Sequence, residues 1–144
     1  MVSLKRNNLF VDTNYFVSLV NEHDTNNTKA CAYAEEFVQY SPQFIISNYI
    51  FSEVVTVTSQ RLGKDESIRV GTMLLSNPHI EILPLNTLLE REAWKIFSKI
   101  AKKNMSYVDC TTLALIKAYK IERLLTFDRK DFQPIGKDFG FVLV

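Results

Sequence analysis

Four acidic residues stand where a carboxylate is out of character with its surroundings: Asp12, Glu53, Asp109 and Asp128. Asp12 closes the apolar run Leu9-Phe10-Val11 and is followed by Thr13-Asn14. That pattern reads as a short strand ending on an acid, with a helix starting at once. The carboxyl ends of strands are where α/β sheets hold their ligands. Asp128 repeats the pattern after Leu124-Leu125-Thr126-Phe127, with Asp131 competing for the same role. Glu53 falls five or six residues into a helix, too deep to serve a cap at Ser47 or Asn48. Its neighbours Ile50, Phe51, Val54, Val55 and Val57 are apolar. An unpaired charge there is costly and calls for a partner or a metal. Asp109 sits in the first turn of a helix that is apolar nearly all round.

Each acid also has a plainer reading. Asp12 can cap the helix that follows it. Ser106-x-x-Asp109 is a capping box ahead of an apolar run. Its cap bonds and the helix dipole would lower the Asp109 pKa and keep it ionised, as a metal ligand needs. Asp128 can be a turn residue in Asp128-Arg129-Lys130-Asp131. Glu53 can sit on a solvated helix edge or in a salt bridge. Taken together the four point further. Carboxylates gathered within a few ångströms cannot all stay charged unaided, since each like pair costs about 4 kcal/mol at 4 Å with an effective dielectric near 20. A divalent cation removes that conflict, and all-oxygen ligands favour Mg²⁺ or Mn²⁺ over zinc. One or two such ions would activate water and stabilise charge on a phosphodiester in the transition state.

The elements that must position these acids alternate. Strands are expected at about 9–11, 44–46, 80–83, 123–127 and 139–144. Helices are expected from Asp12 or Thr13 onward, then at about 29–39, 49–62, 65–75 with Asp65 as cap, 88–102 and 106–119. The stretch at 49–62 is rich in β-branched residues, but positions 50, 54, 57 and 58 share a helical face. Strands separated by helices imply right-handed crossovers and a mainly parallel sheet covered on both faces. With 144 residues, no repeat and no linker, the chain is read as one α/β domain spanning 1–144.

Composition excludes several classes. Hydrophobic residues make up 47% and charged residues 23%, the balance of an ordinary globular domain. The net charge is +1, so a surface with four acids drawn into one cleft is basic elsewhere. Lys102, Lys103, Arg123, Arg129, Lys130, Arg61 and Lys64 flank the acids in sequence and could hold phosphates. Tyr49 and Tyr107 could stack on a base or simply pack in the core. Cys31 and Cys110 suit a reduced compartment and leave a single disulfide open. Lys5-Arg6-Asn7-Asn8 leads into too few apolar residues for a signal peptide. No apolar run reaches membrane-span length, so a cytoplasmic location is expected. His23 and His79 lack a paired nucleophile, and no G-x-x-x-x-G-K loop is present. A dehalogenase-type phosphotransferase needs a second Asp where Asn14 stands. A receiver domain needs an early acidic pair and a late strand-end lysine, neither of which is evident.

Four segments, in order and spacing, resemble the PIN domain family and within it the VapC-type toxin ribonucleases. They are Phe10-Val11-Asp12-Thr13-Asn14, Ile46-Ser47 with Ser52-Glu53-Val54, Ser106-Tyr107-Val108-Asp109-Cys110 with Leu113-Ala114, and Leu125-Thr126-Phe127-Asp128 with Asp131-Phe132. The resemblance covers essentially the whole chain. It implies a three-layer α/β/α fold with a five-stranded sheet of order 3-2-1-4-5. It implies Mg²⁺- or Mn²⁺-dependent cleavage of RNA by the quartet Asp12, Glu53, Asp109 and Asp128, with Asn14 and Thr126 in support. It also implies a homodimer and a cognate antitoxin. A non-catalytic PIN-like domain that binds RNA or protein is the rival reading.

Overall fold

The computed structural model describes residues 7–144, so Lys5 and Arg6, which enter the argument against a signal peptide, lie outside it. The described residues form a five-stranded, wholly parallel sheet in the order β3-β2-β1-β4-β5. The strands are β1 (Asn8–Val11), β2 (Gln43–Ser47), β3 (Ile80–Leu83), β4 (Arg123–Leu125) and β5 (Val142–Leu143). The principal helices are α1 (Thr13–Val20), α2 (Asn27–Tyr40), α3 (Asn48–Leu62), α4 (Lys64–Ser76), α5 (Thr87–Lys99) and α6 (Tyr107–Tyr119). Two short helices, α7 (Arg129–Phe132) and α8 (Gly136–Phe139), flank a 3-10 turn before β5.

β1 is central because its sequence allows nothing else. Leu9, Phe10 and Val11 have no solvent exposure, as expected for a strand covered on both faces. The helices group as right-handed crossovers require when strand order reverses at β1. α1 packs on α2 and α3, and α3 on α4, whereas α5 packs on α6 and α6 on α8. α3 and α6 also touch, which brings the two helices that carry Glu53 and Asp109 together. The core runs through Phe10, Ile45, Ile46, Ile50, Leu113, Leu115, Ile116 and Leu124. α6 is apolar nearly all round because it is buried from Cys110 to Ile116.

The register fixes the rim. Phe10 pairs with Ile45 on one side and with Leu124 on the other, and Val11 pairs with Leu125. Extending these pairings places Asp12, Ser47 and Thr126 at one level, at the carboxyl ends of three adjacent strands. This is the switch point of the sheet, where neighbouring connections leave in opposite directions.

Several boundaries differ from the sequence expectation, each for a local reason. β4 stops at Leu125 rather than Phe127, because the Phe127 amide donates to Asn14 Oδ1 (3.1 Å) and leaves the ladder. α4 starts at Lys64 behind Gly63, with no side-chain cap, so Asp65 lies inside the first turn and does not cap it. α5 ends at Lys99 because Ile100 is extended. The strand expected over 139–144 shrinks to two residues, since α8 and the left-handed Gly140 (φ 80°) take its first part. Cys31 is exposed, Cys110 is buried, and no disulfide joins them.

The hook that returns the chain to β5 is tight. A Cβ added at Gly136 would lie 2.7 Å from the Phe141 carbonyl oxygen, and the Phe141 amide already bonds to the Gly136 carbonyl. Gly136→Ala should cost about 1–3 kcal/mol, the usual price of overpacking. A urea melt would read this as a lower midpoint at unchanged slope; an unchanged midpoint would mean that the hook gives way freely.

Candidate active site

Asp12 is 4% exposed and sits on the rim just described. Parallel pairing explains its neighbours. Its amide donates to the Leu125 carbonyl (2.9 Å), so its side chain meets the residue after Leu125. Thr126 Oγ1 donates to Asp12 Oδ2 (2.7 Å), and the Thr13 amide donates to Asp12 Oδ1 (2.8 Å). Asp12 therefore caps α1, as the plainer reading required, and is also buried. Thr126 is the hub: its hydroxyl also accepts from the Asp128 amide (3.1 Å) and from Asn14 Nδ2 (3.4 Å). Asn14 in turn takes the Phe127 amide, so it ties the start of α1 to the loop behind β4.

Asp109 makes the full capping box. Its carboxylate accepts from the Ser106 amide (2.9 Å), and its amide donates to Ser106 Oγ (3.1 Å). Glu53 is half-buried on α3 and Asp128 is exposed after β4. Asp131 is half-buried within α7.

The electrostatics join these positions. Burial first, then the charges of Asp109 and Asp128, push the Asp12 pKa up to about 7, against the lowering effect of its bonds from Thr126 and Thr13. Asp109 is raised by burial and by the charges of Asp128 and Glu53. This reverses the sequence expectation for Asp109: the cap bonds do lower its pKa, but desolvation outweighs them. Asp128, exposed as a residue but with its carboxyl partly desolvated, is raised by that desolvation and by Asp131, with Asn14 hydrogen-bonding in the opposite sense. Asp128 acts on both Asp12 and Asp109, while Asp131 acts on Asp128 alone among these shifted acids. That favours Asp128 over Asp131 as the fourth acid.

No basic side chain relieves this charge among the described residues. Their ion pairs join Glu22 with His23, Asp24 with Arg61, Glu66 with Arg69 and Glu92 with Lys95. The flanking cations are partly engaged elsewhere. Lys102 donates to the Lys130 and Asp131 carbonyls (3.3 and 3.1 Å) and so braces α7 behind Asp128. Arg123 donates to Asn7, and Arg129 to the Val144 carbonyl. Lys64, Lys103 and Lys130 remain exposed, with no side-chain partner among the described residues.

Among the described residues, no three Asp, Glu, His or Cys side chains already converge as a group able to hold a metal ion. Mg²⁺ does not need such a group, because it keeps several waters and commonly binds one or two carboxylates together with substrate phosphate. The donor set is all hard oxygen, uncompensated and centred on a buried carboxylate. It fits a hard divalent cation in charge and chemistry. Sequence reasoning missed Glu90, which takes the hydroxyls of Tyr49 (2.6 Å) and Tyr107 (2.5 Å). An acid in the first turn of a helix looks like a dipole partner, and its tyrosines lie far away in sequence.

Residues 9–137 match the family model described as PIN domain. The chain belongs to the PIN domain family. A curated relative, the 23S rRNA-specific endonuclease VapC20 of Mycobacterium tuberculosis, is 25% identical over 128 residues, covering 89% of this chain and 94% of the relative. The crystal structure of that species' VapC20, described as a Sarcin-Ricin loop cleaving toxin, shares the fold with a TM-score of 0.76 at 23% identity, over 93% of this chain and 96% of that one. VapBC2 from Rickettsia felis, solved bound to a DNA fragment from its promoter, shares it with a TM-score of 0.68 at 17% identity, over 95% and 97%. The order 3-2-1-4-5 expected for a PIN domain is the order found.

A buried acid with a raised pKa makes stability depend on pH in a definite direction. Asp12 is ionised in the unfolded chain above about 4 but keeps its proton in the fold up to about 7. Its contribution is therefore most favourable below 4, fades as pH rises from 4 to 7, and leaves a cost on the order of 4 kcal/mol above 7. Asp12→Asn should make the cation-free protein about 1–4 kcal/mol more stable at pH 8, with the advantage shrinking toward pH 4. Urea melts across that range would measure it; a variant less stable at every pH would reduce Asp12 to a helix cap.

Proposed function

We propose that this PIN domain, one unit over residues 1–144, is a Mg²⁺- or Mn²⁺-dependent endoribonuclease that uses Asp12, Glu53, Asp109 and Asp128. The observation that carries the reading is the buried Asp12 carboxylate, raised to about 7 among like charges and given no ion-pair partner among the described residues. Such an arrangement costs stability and is sensible where a cation and a phosphodiester supply what is missing. When bound, the cation polarises the phosphodiester and makes attacking water more acidic.

The chain's own groups divide the remaining work. Asp12, fixed by Thr126 and Thr13, is the rigid anchor. Asp109 is held by its capping box, and its charge acts on Asp12. Glu53 and Asp128, less buried, have room to close on a ligand or to orient a water. Asn14 and Thr126 keep the Asp128 loop beside Asp12. Exposed Lys64, Lys103 and Lys130 are available to phosphates outside the acidic centre.

The relative's stated action on 23S rRNA supports RNA as substrate, and a structural neighbour solved as a toxin–antitoxin complex from Klebsiella pneumoniae supports a toxin–antitoxin setting. In this reading the chain is the toxin of such a pair, works in the cytoplasm and associates with a second copy of itself. Exposed Leu88, Trp94 and Phe97 on α5 supply apolar surface for association. Among the described residues, no helix is long and apolar enough to cross a membrane.

RNA incubated with Mn²⁺ or Mg²⁺ should be cut, and EDTA should stop the cutting. Asp109→Asn should slow cleavage by about a hundredfold or more, the scale of losing one well-placed catalytic group. RNA binding without cutting under any divalent cation would favour the non-catalytic PIN-like domain.

A further inference from the structure

We propose that Glu90 is a positioning residue that sets the spacing of Glu53 and Asp109, an inference that rests on the nuclease reading for its functional meaning. Glu90 lies in the first turn of α5, half-buried, outside the acidic site. Its Oε1 accepts from the Tyr49 hydroxyl at 2.6 Å and its Oε2 from the Tyr107 hydroxyl at 2.5 Å. Tyr49 is in the first turn of α3, one turn ahead of Glu53. Tyr107 opens α6, two residues ahead of Asp109. One carboxylate therefore ties together the starts of three helices, two of which carry site acids.

The two rings meet edge-to-face, with centroids 6.0 Å apart. The rings of Phe97 and Trp94 on α5 also pack near Tyr107, with centroids at 6.1 and 6.4 Å. A second tie lies alongside, where the Leu85 amide donates to Asn48 Oδ1 (3.0 Å) at the very start of α3. The tie has something to resist, because α3 and α6 touch each other and each carries a site acid. Left alone, two like charges on facing helices favour separation. Glu90 spends its charge on two neutral hydroxyls and makes no ion pair among those found in the described residues. Charge-assisted bonds of this length hold geometry more firmly than neutral ones. A displacement near 1 Å at a reacting centre can cost on the order of a hundredfold in rate.

The test compares wild type, Glu90→Ala, Glu90→Gln, Tyr49→Phe/Tyr107→Phe and the triple variant. Mn²⁺ affinity is read by calorimetry, cleavage by single-turnover rates at saturating RNA, and folding by thermal melts. Glu90→Ala should lose about tenfold or more in Mn²⁺ affinity and in rate, with RNA affinity within about twofold of wild type. Glu90→Gln should recover most of both, because its amide can accept from one hydroxyl and donate to the other. The double tyrosine variant should match Glu90→Ala, and adding Glu90→Ala to it should change nothing further. If Glu90→Ala does not fold, Glu90→Gln and the tyrosine variants carry the test. Wild-type affinity and rate in Glu90→Ala or in the tyrosine variants, or a Gln variant as impaired as Ala, would overturn the proposal. A wild type that neither binds Mn²⁺ nor cuts RNA would sink the nuclease reading instead. The tie would then be judged by hydrogen exchange at the Ile50 and Asp109 amides, which bond to the caps Ser47 and Ser106. Exchange about tenfold faster without the Glu90 carboxylate supports the tie, and unchanged exchange overturns it.

Discussion

Burying the Asp12 carboxylate at the end of the central strand is what the arrangement around it has to answer. β1 is covered on both faces, so whatever follows Val11 is delivered into the interior of the rim. A carboxylate there loses hydration and gains two hydrogen bonds from the described residues in return. Desolvation wins, and the nearby charges of Asp109 and Asp128 add to it. The residues around Asp12 keep it in place without neutralising it. Thr126 hydrogen-bonds it, Asn14 fixes the loop behind it, and Lys102 braces α7 through backbone carbonyls rather than by pairing with an acid.

Rigidity is graded across the site. Asp12 and Asp109 are tied by short bonds to backbone and hydroxyl groups within the first turns of their helices. Glu53 and Asp128 project from a half-buried helix face and from a loop. On the proposed nuclease reading, a site that takes a cation and then a phosphate would benefit from fixed anchors paired with adjustable ligands. Anchoring all four would raise the electrostatic cost of the empty site, whereas freeing all four would charge ordering entropy to every binding event.

Much of this was legible in the sequence because it is local. A strand ending on an acid located Asp12, whereas at Asp128 the pattern held only loosely, since β4 stops three residues short of it. The Ser106–Asp109 spacing gave the capping box that the structure contains. The β-branched stretch at 49–62 is a helix because its apolar residues follow a helical face and Ser47 caps it. What stayed hidden depends on contacts between distant segments. Whether cap bonds or burial governs Asp109 turns on how deeply α6 packs, which no local pattern records. Lys102 seemed a phosphate holder until its carbonyl partners, 28 and 29 residues away, were placed beside it. Glu90 showed nothing unusual until the fold brought two tyrosine hydroxyls to it. The short end of β4 had the same origin, in a side chain 113 residues away competing for the Phe127 amide.

On this reading Asp12 is a buried carboxylate that a cation would complete. Carbon-13 NMR of the Asp12 carboxyl, titrated with and without saturating Mg²⁺, measures this directly. The account predicts a midpoint near 7 without the cation, and a marked downward displacement when Mg²⁺ is present. A midpoint in the ordinary aspartate range without cation, or one that Mg²⁺ leaves unmoved, would contradict it.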